Sequence, residues 1–64
     1  MGKFEIFKDS VGQFRWRLKA PNGEIIAVSE GYSSKQGCQN GIDGVKKYAP
    51  TAPVYDLTLP PSWR

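Results

Sequence analysis

The chain has 64 residues, nine Lys and Arg against six Asp and Glu, no histidine and one cysteine, Cys38. These numbers exclude an internal disulfide and a zinc-type ligand set, and so small a chain holds one domain at most. A net charge of +3 favours solubility and weak attraction to polyanions, and no apolar run approaches the ~18 residues of a membrane span.

From the amino terminus, KFEIFK (3–8) alternates, with Phe4 and Ile6 on one side and Lys3, Glu5 and Phe7 on the other. The segment does not have the shape of a signal peptide, so the expected location is the cytoplasm. QFRWRLK (13–19) alternates without a break: Phe14, Trp16 and Leu18 share one face, and Gln13, Arg15, Arg17 and Lys19 share the opposite one. This is the pattern of an antiparallel strand with one face in the core and one in water. DSVG (9–12) makes the two strands a hairpin. APNG (20–23) is the next turn, because Pro21 presets φ and Asn22-Gly23 tolerates positive φ. EIIAVS (24–29) then reads as a third strand, apolar on both sides, which completes a meander.

The period changes in SSKQGCQNGIDGVKKY (33–48). Ser33 or Ser34 caps a helix on which Cys38, Ile42, Val45 and Ala49 fall within one arc, with a polar side opposite. Gly37, Gly41 and Gly44 recur at helical spacing beside that arc, followed by Tyr48. Each glycine costs roughly 0.8–1 kcal/mol relative to alanine, so the stripe implies close packing, with Phe4, Phe14 and Trp16 as the rings expected to fill it. A glycine face that opens to a ligand, or one that meets another subunit, is the alternative. Lys46 and Lys47 complement the helix dipole in the last turn, and Pro50 ends the helix. PVYDLTL (53–59) alternates again and reads as a fourth strand, which leaves PPSWR (60–64), with Trp63, as a short polar tail on a 1–59 domain.

The stretches FRWRLKAPNGEII (14–26) and SEGYSSKQGCQNGIDGVKK (29–47) resemble the YegP-like family of small, uncharacterised, mostly bacterial proteins, a likeness that extends over about residues 2–58. The resemblance implies an α+β fold of order β-β-β-α-β, carried twice in tandem or once with dimerisation, with two units joined into one continuous sheet. A single copy implies a homodimer. The small size implies the same, since a lone core below ~70–80 residues rarely supplies more than ~3–5 kcal/mol. No activity and no catalytic residue comes with the resemblance. Gly44 stands where serine is the more usual residue of the family, so one member of the glycine stripe is expected to be dispensable.

Chemistry finds little support in the residues. With no histidine and the six acids spread singly, no acid–base pair is indicated, and Cys38 on the apolar arc reads as a buried thiol rather than a nucleophile. No catalytic, cofactor or metal residue, no small molecule and no membrane partner is expected. The sharper candidate is polyanion binding, with single-stranded nucleic acid as ligand, on Lys3, Phe7, Arg15, Arg17 and Lys19 of the outer sheet face. The bland reading of that face is a charged, solvated surface, with Glu5 diluting its field. A third class is a protein-interaction module that uses the sheet face or the tail.

Overall fold

The computed structural model describes residues 1–58. Three strands, β1 (Lys3–Lys8), β2 (Phe14–Lys19) and β3 (Ile25–Val28), are followed by one helix, α1 (Lys35–Tyr48), and a single 3-10 turn, Ala49–Thr51. The sheet is antiparallel in the order β1-β2-β3. The alternation of the sequence sets its register: Phe4 lies opposite Leu18 and Ile6 opposite Trp16 on the helix side, while Glu5 lies opposite Arg17 and Phe7 opposite Arg15 on the outer side.

Local chemistry sets both turns. The Asp9 carboxylate accepts the backbone N–H groups of Val11 (3.0 Å) and Gln13 (2.9 Å), an Asx-type closure, and Gly12 takes φ +84°, where a side chain would be strained. In the second turn the Asn22 side chain accepts the Glu24 N–H at 3.0 Å, and Gly23 sits at φ +90°. Between Leu18 and Lys19 the β2–β3 register shifts, so the pairing passes over Ile26. Beyond β3 the buried Ser29 replaces a rung of the ladder, its hydroxyl accepting the Trp16 N–H at 2.9 Å and donating to the Glu30 carbonyl at 2.8 Å. The chain then rejoins β2, where Tyr32 and Phe14 exchange two backbone bonds of 2.7 and 2.8 Å.

Helix α1 starts at Ser34, whose Oγ accepts the Gly37 N–H at 3.0 Å. It lies on the inner sheet face through Cys38 and Ile42, which with Trp16 form the buried centre. Phe4, Phe14, Leu18, Ala27, Tyr32 and Val45 surround that centre, and Phe4 meets Trp16 edge-on, with ring centroids 5.5 Å apart.

One expectation needs correction. The glycine stripe is not filled by Phe4 and Phe14. A Cβ on Gly41 would stand 2.9 Å from Tyr32 Cζ and 3.2 Å from Trp16 Nε1, and one on Gly37 would stand 3.6 Å from Tyr32 Cδ1. Tyr32 holds this place because its ladder pair with Phe14, just before the helix, turns the ring back over the first helical turns. Gly44 lies beyond the ring's reach, and a Cβ there would meet nothing within 4 Å.

The expected fourth strand is not seen among the described residues. Residues 53–56 form no strand, and Asp56 bends the chain by accepting the Thr58 N–H at 2.9 Å. A strand exists through its ladder, and here the segment pairs with neither edge of the described sheet; its side chain–backbone bond is the local substitute. Leu59, the end of the expected strand, and the tail 60–64 with Trp63 lie outside the described residues.

Candidate functional site

The outer sheet face holds the candidate residues. The pleat places Lys3, Glu5 and Phe7 of β1 beside Lys19, Arg17 and Arg15 of β2, pair by pair. Glu5 is the hub: its carboxylate takes Arg17 Nε at 2.7 Å, Lys19 Nζ at 3.3 Å and Lys3 Nζ at 3.5 Å. Three cations thus surround one carboxylate. The hydrogen bond from Arg17 holds the Glu5 pKa at about 2, with Lys19 acting in the same direction. Arg17 also lies over the Phe7 ring, 5.0 Å from its centroid.

Arg15 has a different role. Its Nε donates to Asp9 at 2.7 Å and its NH1 donates to the Ser29 carbonyl at 3.0 Å. It therefore ties the first turn to the end of β3, and the same bond depresses the Asp9 pKa. Of the five residues singled out in the sequence, Lys3, Arg17 and Lys19 gather around Glu5, Phe7 lies under Arg17, and Arg15 is a brace. Glu5 as a hub, rather than a mere diluting charge, is legible only once the register is known.

The two sheet edges differ. β1 carries Lys3, Glu5 and Lys8, the charged guard typical of an exposed edge. β3 is IIAV, with Ile25, Ile26 and Val28 exposed and its outer edge unpaired. The segment after the helix repeats this anomaly: Val54 is 94% exposed and Leu57 72%, with Tyr55 exposed between them. Among the described residues, an unpaired apolar edge and an uncovered alternating segment therefore coexist.

Catalytic features are sparse. Cys38 is fully buried, and burial pushes its thiol pKa up, away from the reactive thiolate. Among the described residues no three His, Cys, Asp or Glu side chains assemble as a metal would require, no pocket opens, and no helix is long and apolar enough to cross a membrane. Trp16 Nε1 is buried without a hydrogen-bond partner against the helix.

Comparison with known proteins places this architecture. A family described as a domain of unknown function (DUF1508) matches residues 9–56. A UPF0339 protein of Treponema denticola is 59% identical over 56 residues, covering 88% of this chain and 97% of the relative. A UPF0339 protein of Stutzerimonas stutzeri, from the 5′ region of a ptx operon, is 54% identical over 55 residues that make up 86% of this chain but only 50% of that protein. The solution NMR structure of a protein from Haloferax volcanii superposes with a TM-score of 0.80 at 46% identity, covering 86% of this chain and 93% of the other. It shares the arrangement of three antiparallel strands and one helix, and it extends the relatives from bacteria to archaea. No activity is assigned to these relatives. The chain belongs to the DUF1508 family, the YegP-like proteins.

Proposed function

We infer that this chain is a homodimeric binding module rather than a catalyst, and that a second copy completes its sheet by laying residues 53–58 along the β3 edge. The observation that carries the reading is the coexistence of the uncharged, apolar edge of β3 with the exposed Val54, Tyr55 and Leu57, neither of which is covered among the described residues. Antiparallel or parallel addition of a strand would satisfy the free β3 backbone groups and bury Tyr55 and Leu57, which share one face, at about 1.5–3 kcal/mol for each one fully covered. Pro53 suits this role, since proline is tolerated at the first position of an edge strand. The Stutzerimonas relative supports the same arithmetic: it is twice as long as the matched stretch, as a protein carrying both units in one chain would be. The free, buried thiol of Cys38 suits a cytoplasmic setting.

The test is Leu57→Asp. In a monomer this exposed position tolerates the change within about ±0.5 kcal/mol. In the exchanged dimer the charge falls into the new interface and halves the mass in solution. A mixed sample of 13C-labelled and unlabelled chains adds the contact itself: intermolecular NOEs between Val28 or Ile26 and Val54 or Tyr55 are expected. Wild-type chains that show none, together with an indifferent Leu57→Asp variant, would refute the reading.

A further inference from the structure

We propose that the outer sheet face binds single-stranded nucleic acid, with Lys3, Arg17 and Lys19 meeting phosphates and the Arg17 guanidinium serving as a stacking plane for a base. The proposal deepens the binding-module reading and rests on it, because the assembled dimer presents two such faces on one sheet.

Four observations converge. The first is charge. Three cations surround the Glu5 carboxylate, so the cluster keeps positive charge in excess at neutral pH even with its ion pairs formed. The second is preorganisation. Glu5 accepts only the Nε proton of Arg17, and among the described residues the terminal NH2 groups of Arg17 make no hydrogen bond. Those donors are positioned and unspent, the state in which a guanidinium recognises phosphate. The third is the plane. Arg17 rests on the Phe7 ring at 5.0 Å while keeping 35% of its side chain exposed. The ring holds the guanidinium beside an exposed face on which an unpaired base can lie. The fourth is shape. The helix covers the opposite side of the sheet, and Val28 stands opposite Arg17, adding an apolar contact at the edge of the charged row. An open sheet face with a basic row beside an aromatic ring offers splayed bases both phosphate donors and a surface to lie on, whereas an acidic peptide would use only the charges.

Arg15 is left out of the contact set, because both its Nε and its NH1 are committed to Asp9 and Ser29. Reversing its charge would set two carboxylates against each other at the first turn and test folding instead of binding.

The experiment is fluorescence anisotropy with labelled oligothymidylates of about 4 to 16 nucleotides, titrated across salt. Solution mass is measured on every variant, so that loss of binding and loss of the dimer are told apart. Wild-type binding should weaken with salt, and Arg17→Gln/Lys19→Gln should flatten the log–log slope by about 1.4, close to 0.7 for each phosphate contact removed from a single strand. Glu5→Gln keeps an acceptor for Arg17 Nε while removing the opposing charge, and should tighten binding severalfold. Arg17→Lys retains charge but loses the plane, so it should weaken oligonucleotide binding more than binding of heparin, a polyanion without bases. No oligonucleotide binding by the intact dimer at low salt, an unchanged slope in the double variant, weaker binding by a folded Glu5→Gln, or equal losses on both polyanions in Arg17→Lys would overturn the proposal.

Discussion

Gly41→Ala and Gly44→Ala are the same chemical change on one face of one helix, three residues apart, and the structure assigns them opposite signs. Each alanine gains about 0.8–1 kcal/mol of helix propensity over glycine. At Gly44 a new Cβ meets nothing within 4 Å, so the full gain is expected as added stability. At Gly41 the Cβ would stand 2.9 Å from Tyr32 Cζ and 3.2 Å from Trp16 Nε1, closer than packed carbon atoms sit. The tyrosine ring cannot move far, because the Tyr32 backbone is tied to Phe14 by two bonds of 2.7 and 2.8 Å. Overpacking of this kind costs about 1–3 kcal/mol, which leaves Gly41→Ala up to about 2 kcal/mol less stable than the parent after the propensity gain. In a domain whose core supplies only ~3–5 kcal/mol, that difference is large. Urea denaturation of both variants at equal protomer concentration measures it, and Tyr32→Leu in the Gly41→Ala background should recover part of the loss. A Gly41→Ala protein as stable as the Gly44→Ala protein would refute the packing argument. A Gly44→Ala variant destabilised only at concentrations where the dimer forms would instead place Gly44 against the second copy.

Two further outcomes follow from local chemistry. The folded-state pKa of Glu5 is depressed from the ordinary 4.5 to about 2, so its ion pairs contribute stability above pH ~4.5 and lose it as pH falls toward 2. An NMR titration of the Glu5 carboxyl should find its midpoint near 2, moving up in Arg17→Gln, and a midpoint above 4 in the parent would contradict the hub geometry. Ser34→Ala removes the acceptor for the Gly37 N–H and should cost about 0.5–2 kcal/mol in denaturant unfolding, whereas Ser33→Ala, which leaves the cap intact, should cost much less.

How far the fold was legible depended on whether a signal was local. Strict alternation located β1 to the residue and β2 to within one, because period-two patterning is imposed by a half-buried sheet. The Asp9 and Asn22 turns and the serine cap were legible for the same reason, since each acts over two to four residues. Tyr32 was not: nothing in EGYSS marks its ring as the partner of Gly37 and Gly41, because the Phe14 bridge that aims it spans 18 positions of sequence. Ser29 as a buried rung-replacement was hidden likewise. The candidate site was legible as a set of residue types on one strand face, but the division of labour within it, with Arg15 as brace and Glu5 as hub, required the register. The expected strand 53–59 shows where sequence pattern and single-chain structure part: its alternation reads as a half-buried face, yet Val54, Tyr55 and Leu57 are exposed and no described residue covers them.

Sedimentation velocity over a dilution series tests this most directly. A particle of twice the 7.1 kDa chain mass is expected well into the micromolar range, dissociating on Leu57→Asp. A stable 7.1 kDa particle at every concentration, with β3 and residues 54–57 still open to solvent, would contradict the account.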